Sequence, residues 1–174
     1  MNKRVNDMLQ FRCPRWEELP DKRLLSSQLI GYINESLGAL FLGESVLTKS
    51  MIQNYFKWGI LPMIEGKKYS REQIAYLIVI SIYKQVVSIK DIKKGVLLQQ
   101  SITGIEQSYN HFAEVLEQSL RESFSGLGGS GEVFVPARLS RREYLGIDTI
   151  TYAFSFQLLG RMILEASGTK TLAE

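Results

Sequence analysis

One cysteine and one histidine, Cys13 and His111, are all that the 174 residues offer toward thiol or soft-metal chemistry. A lone cysteine excludes an internal disulfide and a Cys-rich metal site and suits a reducing compartment, so Cys13 reads as a buried or half-buried free thiol. His111 has no histidine or cysteine at ligand spacing, and no metal or catalytic role is expected of it. The first ten residues mix Lys3, Arg4 and Asp7 with polar neighbours and lack the apolar core of a signal peptide. Long hydrophobic runs are also missing. The window Ile74–Val87 is too short for a bilayer and contains Lys84, while Leu145–Leu164 is interrupted by Asp148, Gln157 and Arg161. Both read as buried helices, and the expected setting is the cytoplasm with no membrane partner. No nucleophile motif, P-loop, dinucleotide fingerprint or patterned carboxylate pair is present, so neither an enzyme nor a cofactor is expected.

What the chain does have is an uneven distribution of charge. Residues 47–94 carry Lys49, Lys57, Lys67, Lys68, Arg71, Lys84, Lys90, Lys93 and Lys94 against Glu65, Glu72 and Asp91, a net charge of +6. Residues 1–46 are neutral and residues 95–174 carry −3. A basic block in an otherwise neutral-to-acidic chain is the electrostatic footprint of a face that meets a polyanion.

That block has a legible local order. Thr48 is an N-cap, and Met51, Ile52, Tyr55 and Phe56 recur at helical spacing after it. Gly59 closes that helix and Pro62 prevents its resumption. Met63 and Ile64 lead into Glu65-Gly66-Lys67-Lys68-Tyr69, a glycine-containing turn whose flanks are expected to pair as a small hairpin. Ser70 and Gln73 form a capping box ahead of an apolar helix, and Ser88 caps the next one, with Asp91 in its first turn. Upstream, Leu25, Leu29, Ile30, Ile33 and Leu37 mark a helix from Leu24 to about Leu42, weakened by Gly38. With the turn at Gly43 and the helix from Thr48 to Trp58, it forms a helix-turn-helix pair.

This layout resembles the DNA-binding region of MerR-type transcription regulators. The elements that carry the likeness are Thr48, Tyr55-Phe56, Gly59-Ile60-Leu61-Pro62, a wing at Gly66 to Tyr69, and Ser88-Ile89 with Ile92. Together with the start Trp16 to Pro20, residues 14–125 also resemble a family of uncharacterised bacterial proteins described as MerR-like, a domain of unknown function (DUF1836-like). The resemblance implies a mainly α fold: a MerR-like winged helix-turn-helix with a small β-hairpin wing and additional C-terminal helices. It departs from the MerR pattern at Gln53-Asn54-Tyr55, where Arg-Tyr-Tyr is usual, and at Gly66-Lys67-Lys68, where Gly-Tyr-Arg is usual.

Three regions are expected: an N-terminal strap over 1–23, the winged helix-turn-helix over 24–100, and a C-terminal helical region over 101–174. In the strap, two prolines forbid a continuous helix over Arg12–Asp21, and Trp16 and Leu19 are expected to pin it to the core. The C-terminal region holds a helix from Ile105 to Phe124, the glycine-rich stretch 125–132, an extended piece from Glu132 to Pro136, and a last helix opened by a Ser140–Glu143 capping box. That last helix is more apolar than one chain needs to bury, which points to a homodimer; Tyr152, Phe154 and Phe156 are candidates to line a pocket for a small-molecule effector.

The functional expectation is a regulator that binds double-stranded DNA sequence-specifically. Thr48, Lys49, Ser50, Gln53, Asn54 and Lys57 would face the DNA, with Gln53 and Asn54 able to read adenine edges. Lys67, Lys68, Tyr69 and Arg71 would hold flanking phosphates at the wing. Tyr55 reads as core. The alternative is a helix-turn-helix reused to bind another protein.

Overall fold

The computed structural model describes residues 2–64, 66–128, 140–169 and 172. The described part is mainly helical. In chain order it contains α1 (Lys3–Leu9), β1 (Leu24–Leu25), α2 (Ser26–Leu37), α3 (Lys49–Lys57), β2 (Lys68–Tyr69), α4 (Arg71–Tyr83), α5 (Ile89–Thr103), α6 (Ile105–Phe124) and α7 (Leu145–Glu165), with 3-10 turns at Trp16–Glu18, Gly38–Phe41, Ser125–Gly128 and Arg142–Tyr144.

The helix α4 is the axis of the core. Ten of its residues, from Gln73 to Tyr83, are buried, because Ile, Leu, Ala and Tyr cover almost its whole circumference. Its start is fixed as the sequence predicts: the Ser70 N–H donates to Gln73 Oε1 at 2.6 Å. Against it lie α2, α6 and α7, and α6 packs along α7 for much of its length. Small and hydroxylated side chains let those two approach, with Ser119 Oγ and Ser155 Oγ 2.6 Å apart in a buried contact. The cap at Ser88 also forms, its Oγ accepting from the Asp91 N–H at 3.2 Å. At Gly104, φ is +77°, a backbone that L side chains rarely adopt, and there α5 breaks sharply into α6.

The strap is tied to α6 by polar contacts that periodicity does not reveal. The Cys13 N–H donates to Glu117 Oε1 (3.0 Å), the Arg15 guanidinium donates to the same oxygen (2.7 Å), the Trp16 N–H donates to Asn110 Oδ1 (2.7 Å), and the Tyr109 hydroxyl donates to the Pro14 carbonyl (2.9 Å). Cys13 and Leu19 are buried, and Trp16 packs edge-on against Tyr109. One continuous core takes side chains from the strap, from residues 24–100 and from residues 101–174.

The strap region also holds a helix, α1, whose Val5 and Met8 are buried. Several expectations are corrected. The second helix starts at Ser26 and ends at Leu37, because Leu24 and Leu25 pair as a strand and Gly38 tightens the chain into a 3-10 turn. The glycine turn does not close a hairpin on its own flanks. Lys68–Tyr69 pairs antiparallel with Leu24–Leu25, with Leu24 opposite Tyr69 and Leu25 opposite Lys68. Pro62 removes a donor from the nearer flank, and the residues before α2 supply the partner instead. The helix capped by Ser88, which the pattern ends at about Gln99, runs on to Thr103. Ser140 and Glu143 do not make a capping box: the Ser140 hydroxyl donates to the Arg141 carbonyl, and a 3-10 turn precedes α7. The extended piece at 132–136 lies outside the described residues, as do residues 129–132 of the glycine-rich stretch.

Candidate nucleic-acid interface

The approach of α2 to α3 is set by one asparagine. Asn34 sits on α2, where its side-chain N–H donates to the Leu47 carbonyl (2.9 Å) and its Oδ1 accepts from the Val46 N–H (2.8 Å). Val46 and Leu47 are buried, so Asn34 supplies partners that these backbone groups would otherwise have to seek in water. The bond pair therefore fixes the backbone just ahead of the Thr48 cap, whose hydroxyl accepts from the Met51 N–H at 3.3 Å. Helical spacing cannot flag Asn34, since it lies off the apolar stripe; its signal is a poor helix former held inside a helix.

From this anchor α3 is amphipathic. Ile52 and Tyr55 are buried, and burial pushes the Tyr55 hydroxyl up to about 12. Lys49, Ser50, Gln53, Asn54 and Lys57 are all exposed on the other side. A cleft of about 230 Å³ runs between α3 and the turn before β2, and Lys49, Gln53, Gly66 and Lys67 line it. Lys67 and Lys68 are exposed, so two stretches 18 residues apart contribute cations to one edge of the molecule.

Not every basic residue belongs to that edge. Tyr69 is buried and its ring lies 6.1 Å from that of Phe56, which makes it core rather than a phosphate contact. Arg71 is half-buried, with a guanidinium nitrogen 3.2 Å from the Asp21 carboxylate. Lys84 is half-buried, its ammonium 3.4 Å from Met51 Sδ, and burial lowers its pKa. Lys93 instead joins the edge from α5, donating to the Trp58 carbonyl at 3.4 Å and so approaching the C-terminal end of α3.

Tyr152, Phe154 and Phe156 all lie on α7. Phe154 is in the core, and the Tyr152 hydroxyl donates to Glu122 Oε2 at 2.5 Å. Most of the apolar surplus of α7 is likewise spent inside the chain, against α6 and α4, leaving Leu145 and Leu164 exposed. His111 has a partner that spacing could not show: its Nε2 lies 2.7 Å from Asp148 Oδ1, and its ring stacks on Tyr144 at 3.8 Å. The pair ties α6 to the first turn of α7. Among the described residues no group of three His, Cys, Asp or Glu side chains could hold a metal, and no helix is long and apolar enough to cross a membrane.

A mainly helical domain with a capped, polar-faced helix at a basic edge is the class these features define. The chain belongs to the family described as a domain of unknown function, DUF1836, whose model matches residues 14–117. The match ends at Glu117 and begins beside Arg15, which are joined in space by the ion pair described above. No curated protein and no solved structure matches the chain.

Proposed function

We propose that this chain is a sequence-specific double-stranded DNA-binding regulator of MerR-like winged helix-turn-helix type, with α3 as its reading helix and the turn at Gly66–Lys68 as its wing. The observation that carries the reading is the cleft that brings Lys49 and Gln53 of α3 against Lys67 across from it. A short helix clamped at its N-terminal end, with amide side chains flanked by lysines, has the chemistry for base edges at the centre and phosphates at the rim. Gln53 and Asn54 would give bidentate contacts to adenine, and Lys49, Lys57, Lys67 and Lys68 would neutralise phosphates. Arg71 takes a smaller part, since Asp21 already engages it.

The test is selection of bound duplexes from a randomised pool by the purified chain, followed by affinity measurements at several salt concentrations. An enriched site whose affinity falls steeply with salt is the expected result. A pool that stays random after repeated selection refutes sequence-specific reading. The competing use of the same helix, docking another protein, is favoured by one observation: Trp58 and Met63 stand exposed next to the basic edge. In that case Trp58→Ala would abolish partner capture while DNA selection stayed empty.

A further inference from the structure

A cavity of about 220 Å³ lies where α4, α5, α6 and the start of α7 meet. Its walls are apolar, with Val79, Val96, Ile105, Phe112 and Ile147 among them. Gly95 of α5 and Gly146 of α7 are also on its wall, and a Cβ added at either would meet no atom within 4 Å. Both stand inside helices, where almost any other residue but proline favours the helix more. The cavity wall is thus bare at two positions where a side chain would meet no neighbour and would strengthen the helix.

The polar groups sit around it in a telling order. Tyr76 and Gln100 satisfy each other, the hydroxyl donating to Oε1 at 2.8 Å. Gln99 Nε2 donates to the Glu143 carbonyl at 3.0 Å, and the Glu143 carboxylate has Arg141 at 3.6 Å. Arg142 also lines the cavity, is exposed, and has no acidic partner within 4.0 Å among the described residues. Leu98 and Ile102, 62% and 49% exposed, complete the rim. The interior therefore asks for apolar atoms, and the rim offers one uncommitted cation.

We propose that this cavity binds a small amphipathic carboxylate, its apolar body inside and its carboxylate against Arg142. Since a cavity of about 150 Å³ takes benzene, the space here suits a body of about eight carbon atoms. Octanoate has that size, and its carboxylate would pair with the guanidinium at the mouth. The site joins α4 and α5, whose Lys93 touches the end of α3, to α6 and α7 of the C-terminal region.

The test is calorimetric titration of the full chain with hexanoate, octanoate and octan-1-ol, without DNA, so its outcome is independent of what α3 contacts. Octanoate is expected to bind at one site per chain. Two methylenes should make it about fifteen-fold tighter than hexanoate, at about fourfold per methylene. Octan-1-ol should bind more weakly than octanoate, and Arg142→Gln should erase that difference. Gly146→Leu should weaken octanoate at least tenfold while melting no lower than wild type; if it fails to fold, Gly95→Leu reads the same wall. No saturable octanoate binding overturns the proposal, as does binding that Gly146→Leu and Gly95→Leu leave unchanged. A chain that self-associates through this rim, dissociates on Leu98→Asp and binds no octanoate overturns it too, by assigning the rim to a second copy.

Discussion

Replacing Asn34 by leucine keeps the number and branching of the side chain's heavy atoms, with bulkier methyl groups at its end, and removes both of its cross-turn hydrogen bonds. Two backbone groups then lose their partner, the Val46 N–H and the Leu47 carbonyl. The third contact, to the Ile30 carbonyl, matters less, because that carbonyl is within α2 and has its helical donor. An unsatisfied buried backbone group costs about 1–3 kcal/mol. Leucine returns about 0.5 kcal/mol through its better helix propensity. Asn34 itself is half-buried, which lets water reach part of the gap and argues for the lower half of the range. The net loss is therefore about 1.5–3.5 kcal/mol, or a Tm lower by about 3–14 °C in a chain of this size. The control is Ser36→Ala on the same helix, whose hydroxyl donates only to the Tyr32 carbonyl, an internal back-bond; its effect should stay within about 0.5 kcal/mol. Thermal and urea unfolding followed by circular dichroism measures both. If Asn34→Leu and Ser36→Ala melt together, the clamp does not hold the turn, and α3 is positioned by the burial of Ile52 and Tyr55 alone.

On DNA, Gln53→Ala and Asn54→Ala should each cost about 1–3 kcal/mol at one base position and relax preference there. Lys67→Ala/Lys68→Ala should weaken all sequences alike and flatten the salt slope by about 1.8 per bound chain, at about 0.9 per phosphate contact; an unchanged slope takes the wing off the DNA. Burial alone would raise the Glu117 carboxyl, but the hydrogen bonds from Arg15 and the Cys13 N–H, with the charges of Arg15 and Arg121, hold it below its ordinary value. Its contribution to stability is then present above the unfolded-state pKa and lost as pH falls through the folded one, so melts between about pH 5 and pH 3 should lose stability that Glu117→Gln no longer shows. Equal acid slopes in the two proteins would dismiss the pair as an acid-sensitive tie. Burial pushes the Cys13 thiol up to about 12, so an aromatic disulfide reagent at about pH 8 should leave the folded chain unmodified and label it only after unfolding; rapid labelling of the native chain would show that the strap opens freely.

The sequence was most legible where a signal is local. The caps at Thr48, Ser70 and Ser88 each rest on side chain and backbone a few residues apart, and all three form. The burial of Tyr55 and of Cys13 followed from pattern and from chemistry. The errors that bear on the basic edge share a physical source: they concern partners distant in the chain. Lys68 and Tyr69 found Leu25 and Leu24, 43 and 45 residues back, instead of the flank that a local turn offers. Arg71 is paired with Asp21, and His111 with Asp148. None of these distances leaves a periodic trace. In the candidate site the exposed residues of α3 were readable from helical spacing, because an amphipathic face needs only the neighbours within its own helix. Which of the basic residues stayed free was not, since that depends on who else is near.

That last dependence changes what net charge says about this molecule. A block of +6 over residues 47–94 treats every lysine and arginine as equivalent. In the fold, Arg71 is drawn to Asp21 and Lys84 lies half-buried against Met51, while Lys49, Lys57, Lys67 and Lys68 remain in solvent and Lys93 leans on the Trp58 carbonyl from α5. The edge is therefore less charged than the block, but more concentrated, because α3 and the turn before β2 are brought together across one cleft. For a polyanion, several lysines on one edge within reach of consecutive phosphates are worth more than the same charge spread around a surface, since exposed charges separated by more than about 10 Å are largely screened at ordinary salt. The β1–β2 pairing is what makes that concentration possible: by tying Lys68 to the residues that lead into α2, it holds the turn at Gly66–Lys68 on the same body as α2 and α3.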